Sequence, residues 1–218
     1  MSGMYIRQLH RDLIELHGHP NEAHSEDGVR QLLTTILSQN VADVQTARAS
    51  KNLFAAYPDY KAIEVADQNE LADVISDVGL MNQKAERIQR SLQRIRQEAG
   101  GEYTLAFLDR METDAAKAWL TDIKGIGPKT ASVVLNFHFQ RPTFAVDTHI
   151  ERLSKRFGLV ADSTTAEAAH DVLNETIPDD IKYSLHVLLI THGKEYCSAR
   201  TPDCDNPVCE RYCRCEFC

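Results

Sequence analysis

Apolar residues recur at helical spacing along almost the whole chain. Val29, Leu32, Leu33, Ile36 and Leu37 fall at i, i+3, i+4, i+7 and i+8, and Ala85, Ile88, Leu92 and Ile95 draw a second stripe. Residues three and four apart share one face of a helix, so each stripe predicts a helix that turns that face into a core. The same reading predicts further helices over 4–17, 42–56, 68–78, 111–122, 128–138, 148–158, 165–175 and 183–193. Thr164, with Glu167 three residues later, resembles a capping box. No segment alternates apolar and polar residues as a half-buried strand would, and there is no low-complexity linker or internal repeat. The expected fold is all-α.

With 218 residues, 43% of them hydrophobic, the chain can build one large core or two smaller interleaved ones. It has no apolar run of about 18 residues, and its N-terminus, MSGMYIRQLHRDL, carries charges where a signal peptide would be apolar. An intracellular protein with no membrane partner is expected, cytoplasmic in a bacterium or archaeon. The net charge of −8 and pI near 5.6 argue against coating nucleic acid non-specifically, because phosphate binding rests on Lys and Arg. Basic stretches nevertheless exist: six Lys or Arg against two acids over 124–156, and five against two over 81–98. Taken alone, each reads as a solvated helix face, and gains weight only through the motifs beside it.

The cysteines change the picture. Residues 1–196 contain none, and all six fall in the last 22. The tail after Cys197 has too few apolar side chains to build a core, so a metal centre is expected to order it.

Residues 123–131 read IKGIGPKTA. Glycines at 125 and 127 permit a tight turn with positive φ and close approach of another backbone, and proline suits the first position of the next helix. Free N–H groups at such a turn and helix start suit a phosphate oxygen. Lys129, in the first turn, faces the positive end of the helix dipole, which favours its neutral, nucleophilic form; without a partner it reads as an ordinary surface lysine. Asp147, in AVDTHIERLSKRF, suits a helix N-cap, and a loop through QRP at 140–142 would also let it meet Lys129.

LTDIKGIGPKTASVVLNFHFQRPTFAVDTHIERLSKRF resembles the helix-hairpin-helix and following loop of the endonuclease III family of DNA glycosylases. LLTTILSQNVADV, VGLMNQKAERI and IKYSLHVLLITHGKEYCSAR resemble further segments of that family in the same order, from about Gly28 to Cys215. The resemblance implies two interleaved helical domains. An N-terminal helix within 1–25 would pack with the cluster domain, 26–140 would form a six-helix barrel carrying the hairpin, and 141–218 would hold an iron–sulfur cluster.

By the same resemblance Lys129 is the nucleophile and Asp147 its carboxylate partner in a bifunctional glycosylase/AP lyase. Such an enzyme acts, as a monomer, on oxidised pyrimidines in duplex DNA and at abasic sites. Asn40 occupies the place of the family's base-stack plug, Leu80 that of its apolar wedge, and Asp43 and His149 have supporting places. Lys124, Gly125, Ile126 and Gly127 would hold a phosphate, with Arg141 adding charge.

The family's C-x6-C-x2-C-x5-C pattern implies a [4Fe–4S] cluster on Cys197, Cys204, Cys209 and Cys215, although the middle gap here is x4. Cys213 and Cys218 would then be spare, or one could replace a ligand; a zinc site is the alternative. Lys194 and Arg200 would point toward DNA. Proline at 128, where the family often has arginine, departs from the pattern and suggests a weaker grip on DNA. Two other activities stay open: a monofunctional glycosylase for mismatched adenine, thymine or uracil, and a non-catalytic DNA-binding scaffold.

Overall fold

The computed structural model describes residues 3–21 and 24–215, and every regular element among them is helical. The chain forms two compact units, His24–Gln140 and Met1–Ala23 with Arg141–Cys218. It opens with α1 (Gly3–His17), which belongs to the second of these.

The His24–Gln140 unit runs α2 (Gly28–Leu37), α3 (Asp43–Ala56), α4 (Tyr60–Val65) and α5 (Gln68–Val74). It continues with α6 (Met81–Glu98), a 3-10 turn at Ala106–Arg110, α7 (Thr113–Asp122) and α8 (Pro128–Phe137). The stripes predicted from sequence become its core: Leu32, Leu33, Ile36 and Leu37 of α2 and Ile88, Leu92 and Ile95 of α6 are fully buried. α2 packs on α3, α6 and α8; α4 and α5 lie on α6; and α7 lies on α8.

α2 is central to this packing, and its start is strongly specified. The Asp27 carboxylate accepts from Val29 N at 2.9 Å and Arg30 N at 3.0 Å, two of the donors that every helix start leaves open. Its other oxygen accepts the Tyr60 hydroxyl, so the first residue of α4 and the cap of α2 are tied together. Burial and the Asp27 carboxylate both push the Tyr60 phenol upward.

The second unit adds α9 (Thr148–Arg156), α10 (Ala166–Thr176), α11 (Lys182–Glu195) and α12 (Pro207–Tyr212) to α1. α1 packs on α11 and α12, and α9 packs on α11. Ile6, Leu9, Leu13, Ile150, Leu153 and Leu185 are buried in its core.

Several local expectations need correction. The cap of α10 is Thr165, whose hydroxyl accepts from Ala168 N at 3.2 Å, so Thr164 and Glu167 do not form the expected box. α5 ends at Val74, four residues early, where Ile75 leaves helical geometry and 3-10-type bonds take over. The tail after Cys197 is also less bare than its composition implied. α12 buries Val208 and Tyr212 in the core, and the Tyr212 hydroxyl and Arg211 both donate to Asp12 Oδ2 at 2.6 Å. α4 and α12, six residues each, are too short for their period to show in sequence.

Asp27→Ala should cost about 1–2 kcal/mol, from the lost cap and the Tyr60 hydroxyl left without its partner. Urea denaturation should show this loss, and Asp27→Asn, which keeps the cap, should recover most of it.

Candidate active site

α7 stops at Ile123, whose N–H turns back to Leu120 O, and α8 begins at Pro128 after the cap residue Gly127. Between them the two glycines play different parts. Gly125 has φ +94°, and a Cβ there would lie 2.8 Å from three side-chain atoms of Arg87. Gly127 has φ −96°, and a Cβ there would meet nothing within 4 Å. The fold itself demands glycine at 125 only, while 127 leaves open space at the surface.

The donors of this corner can be accounted for one by one. Ile126 is buried and spends its N–H on Ile123 O at 2.9 Å; Pro128 has none; Ala131 donates to Gly127 O at 3.1 Å. The N–H groups of Lys129 and Thr130, in the first turn of a helix whose cap side chain is only hydrogen, are those that helix geometry leaves open. Lys124 is exposed beside them, and Lys129 is half-buried with no ion pair or hydrogen bond for its amine within the unit.

Two further turns of this unit carry non-glycine residues in left-handed geometry. Asn40, exposed just after α2, has φ 56°. Leu80, the residue before α6, has φ 58° and is 56% exposed, so it is not a core residue. Left-handed geometry is unfavourable for a leucine, and an exposed apolar side chain held in it is strained without any gain from burial. Asp43 lies close in sequence, exposed at the start of α3.

A polar network connects these turns to the hairpin. Gln39 Nε2 donates to Gly125 O at 3.3 Å and Thr130 Oγ1 at 3.2 Å, and its Oε1 accepts from Arg87 Nη1 at 2.6 Å. Lys84 is 1% exposed and donates to Leu37 O at 2.9 Å and Gln39 O at 2.8 Å. Burial first, and the neighbouring Arg87 second, push the Lys84 ammonium down to about 8.

Asp147 belongs to the other unit. It caps α9, with Oδ1 accepting from Ile150 N at 2.8 Å, and among the described residues of that unit no hydrogen bond occupies Oδ2. His149 follows in the first turn of α9 and lies against Gly193 and the Arg152 guanidinium, at 3.1 Å from Arg152 NH2. Lys129 and Asp147 therefore sit at the starts of two helices, one in each unit.

In this second unit the thiols of Cys197 and Cys209 are buried, and those of Cys213 and Cys215, half-buried, lie 3.2 Å apart. Arg156 donates to Cys197 Sγ at 2.9 Å and to Ser198 O at 2.8 Å, which pins the start of the tail to α9. Burial is the main cause that holds the Cys213 thiol up at about 12, and the nearby sulfurs of Cys215 and Cys197 add to it. His192, fully buried, stands 3.4 Å from Cys209 Sγ and is pushed down to about 4 by burial and then by His17. Cys204 is half-buried. Among the described residues no three His, Cys, Asp or Glu side chains already surround a metal position. Cys218 lies outside the described residues.

Residues 33–179 match the HhH-GPD superfamily of base excision DNA repair proteins. The chain belongs to that superfamily. It is 31% identical over 208 residues to an endonuclease III of Thermotoga maritima, covering 95% of this chain and 92% of that one. Its fold superposes on an endonuclease III trapped as a covalent intermediate with DNA, with a TM-score of 0.83, 26% identity and coverage of 98% and 96%. A non-covalent endonuclease III–DNA complex gives 0.82 at 27% identity, with the same coverage. The superfamily makes this chain a DNA glycosylase of base excision repair. No helix among the described residues is long and apolar enough to cross a membrane.

Within this glycosylase, the sequence pointed to the hairpin and both strained turns, and the structure gathers them in one unit. Sequence reasoning missed Gln39, Lys84 and Arg87. Lys84 and Arg87 are three apart and so share a face of α6, but a basic stretch gives no sign of which lysine turns inward.

The two hairpin glycines should respond differently to alanine. Gly125→Ala should lose about 1–3 kcal/mol from its positive φ and the overlap with Arg87. Gly127→Ala should stay within about 0.5 kcal/mol of the parent, a small entropic gain offsetting the weaker cap. Chemical denaturation of both variants checks this.

Proposed function

We propose that this chain is a bifunctional DNA glycosylase/AP lyase that removes oxidised pyrimidines from duplex DNA, with Lys129 as the nucleophile. The carrying observation is the place of Lys129. Its amine stands in the first turn of α8, without an ion pair in its unit, one residue after the proline that follows an open glycine corner. A phosphate accepting from the N–H groups of Gly127, Lys129 and Thr130, with Lys124 adding charge, would hold the backbone beside that amine. Such contacts position the DNA and read no sequence. Affinity should come from them locally, despite the overall charge of −8.

The reaction follows from an amine and a carboxylate. The damaged nucleotide leaves the stack so that its sugar reaches the amine. The lone pair of Lys129 attacks C1′, the glycosidic bond breaks toward the base, and the base leaves with the bonding pair and takes up a proton. Loss of a proton from nitrogen and opening of the sugar give a Schiff base. Removal of a C2′ proton then breaks the 3′ C–O bond. Asp147 would stabilise the positive charge that develops on the sugar and accept the amine's proton. Its Oδ1 is committed to capping α9, which leaves Oδ2 for this task. Asn40 would fill the space left by the flipped nucleotide and Leu80 would wedge the opposite strand, which the exposed, left-handed positions of both support.

The tail fits a cluster by its donor chemistry. Cys197, Cys209, Cys213 and Cys215 lie in one neighbourhood, and an electropositive centre would relieve the mutual opposition of their sulfurs. Cys197, Cys209 and Cys215 would be three ligands of a [4Fe–4S] cluster. Cys204 would be the fourth by the family spacing, whereas proximity to Cys215 favours Cys213. The cluster would order the tail. Arg156 and His192 would donate hydrogen bonds to its sulfur ligands.

Lys129→Gln should abolish borohydride trapping on DNA and strand cleavage at abasic sites. Asp147→Asn should slow base release by about 10²–10⁴ while keeping DNA binding and stability, because asparagine also caps a helix. A trapped adduct with Lys129→Gln would assign the nucleophile to another amine, and base release without trapping or strand cleavage by the parent chain would move the assignment to a monofunctional glycosylase. For the tail, protein purified without oxygen should be brown and contain iron with equal acid-labile sulfide. Colourless protein that carries zinc would remove the cluster.

A further inference from the structure

We propose that Lys84 is a positioning residue for nucleotide extrusion: its ammonium, held between the carbonyls of Leu37 and Gln39, fixes the turn that carries Asn40 and links it to the turn that carries Leu80. This rests on the glycosylase reading above and deepens it.

A lysine that is 1% exposed is uncommon, because an ammonium taken out of water must recover its lost hydration from the protein. Lys84 does so with two backbone carbonyls at 2.9 and 2.8 Å, those of Leu37 and Gln39 at the C-terminal end of α2. These carbonyls have run past the end of the helix ladder and lack donors there. An apolar side chain of similar volume would fill the same space and suit the core better, but could satisfy neither. The charge therefore specifies a backbone shape.

The shape it specifies is that of the turn before Asn40. Gln39 O takes the ammonium, and the next residue enters left-handed geometry at φ 56°. The main-chain N–H of Lys84 donates to Leu80 O at 3.0 Å, where the second left-handed residue stands at φ 58°. One residue is thus bonded through its backbone to one exposed turn and through its side chain to the other. Strained turns of this kind persist only when their surroundings over-determine them. Gln39 extends the linkage, because its side chain bonds Gly125 O and Thr130 Oγ1 in the hairpin that carries Lys129. None of these bonds involves a reacting atom. Lys84 should therefore govern how the duplex is opened and leave the bond-breaking steps alone.

The test compares a duplex containing one oxidised thymine, with 2-aminopurine beside it to report unstacking, and a single-stranded oligonucleotide with a preformed abasic site. Lys84→Met, close in length and without donors, should slow single-turnover base release from the duplex by up to about 100-fold and abolish the fluorescence rise. Borohydride trapping on the single strand should stay at the wild-type level. Lys84→Gln, which keeps N–H donors, should restore part of the duplex rate, and it carries the test if Lys84→Met does not fold. An equal fall on both substrates, no fall on either, or failure of both variants to fold would overturn the proposal and leave Lys84 a core residue. A wild-type chain inactive on both substrates would refute the lyase assignment itself, and this inference with it.

Discussion

The carbonyls that α2 exposes at its C-terminal end must find donors inside the protein, and the buried ammonium of Lys84 supplies them. The turn that follows α2 in the His24–Gln140 unit is built around that constraint. With the carbonyls of Leu37 and Gln39 fixed, the chain leaves α2 in one direction, Asn40 is driven into left-handed geometry, and the Gln39 side chain is aimed at the hairpin. Arg87 completes the arrangement by gripping the Gln39 amide oxygen while its stem occupies the space that a side chain at Gly125 would need.

The hairpin shows how a short motif can combine a folding rule with room for a ligand. Glycine at 125 is required by φ and by Arg87, whereas glycine at 127 is required by neither. A position where the fold tolerates a side chain and the sequence has none suits a surface that another molecule approaches closely. The helix that follows begins without a side-chain cap, in contrast to α2 and α9, which Asp27 and Asp147 close. In a DNA glycosylase, an uncapped start is suited to a phosphate, and a capped one is suited to presenting the carboxylate that caps it.

In the second unit, order in the tail comes from more than one source. Val208 and Tyr212 bury apolar surface, Arg211 and Tyr212 reach Asp12 of α1, and Arg156 staples residues 197–199 to α9. The thiols are left clustered against these supports, with buried, uncharged His192 beside Cys209.

The sequence by itself determined the helices long enough to show their period, the all-α class, the hairpin between α7 and α8, and the concentration of thiols in the last 22 residues. These are local properties: a stripe at i, i+3 and i+4, a Gly-Ile-Gly-Pro run and a cysteine spacing are legible without knowing what lies opposite. It could not determine that Thr165 and not Thr164 caps α10, because neighbouring hydroxyls compete for one role and the packing of the helix chooses between them. Nor could it show which lysine of a basic helix turns inward, which of two glycines is obligatory, or that Gln39 reaches Gly125. Each of those depends on a partner 45 or more residues away, or on a side chain such as Arg87 that only the folded chain brings near. Tertiary structure decided them, because burying a polar group is tolerable only where distant backbone supplies its missing hydrogen bonds.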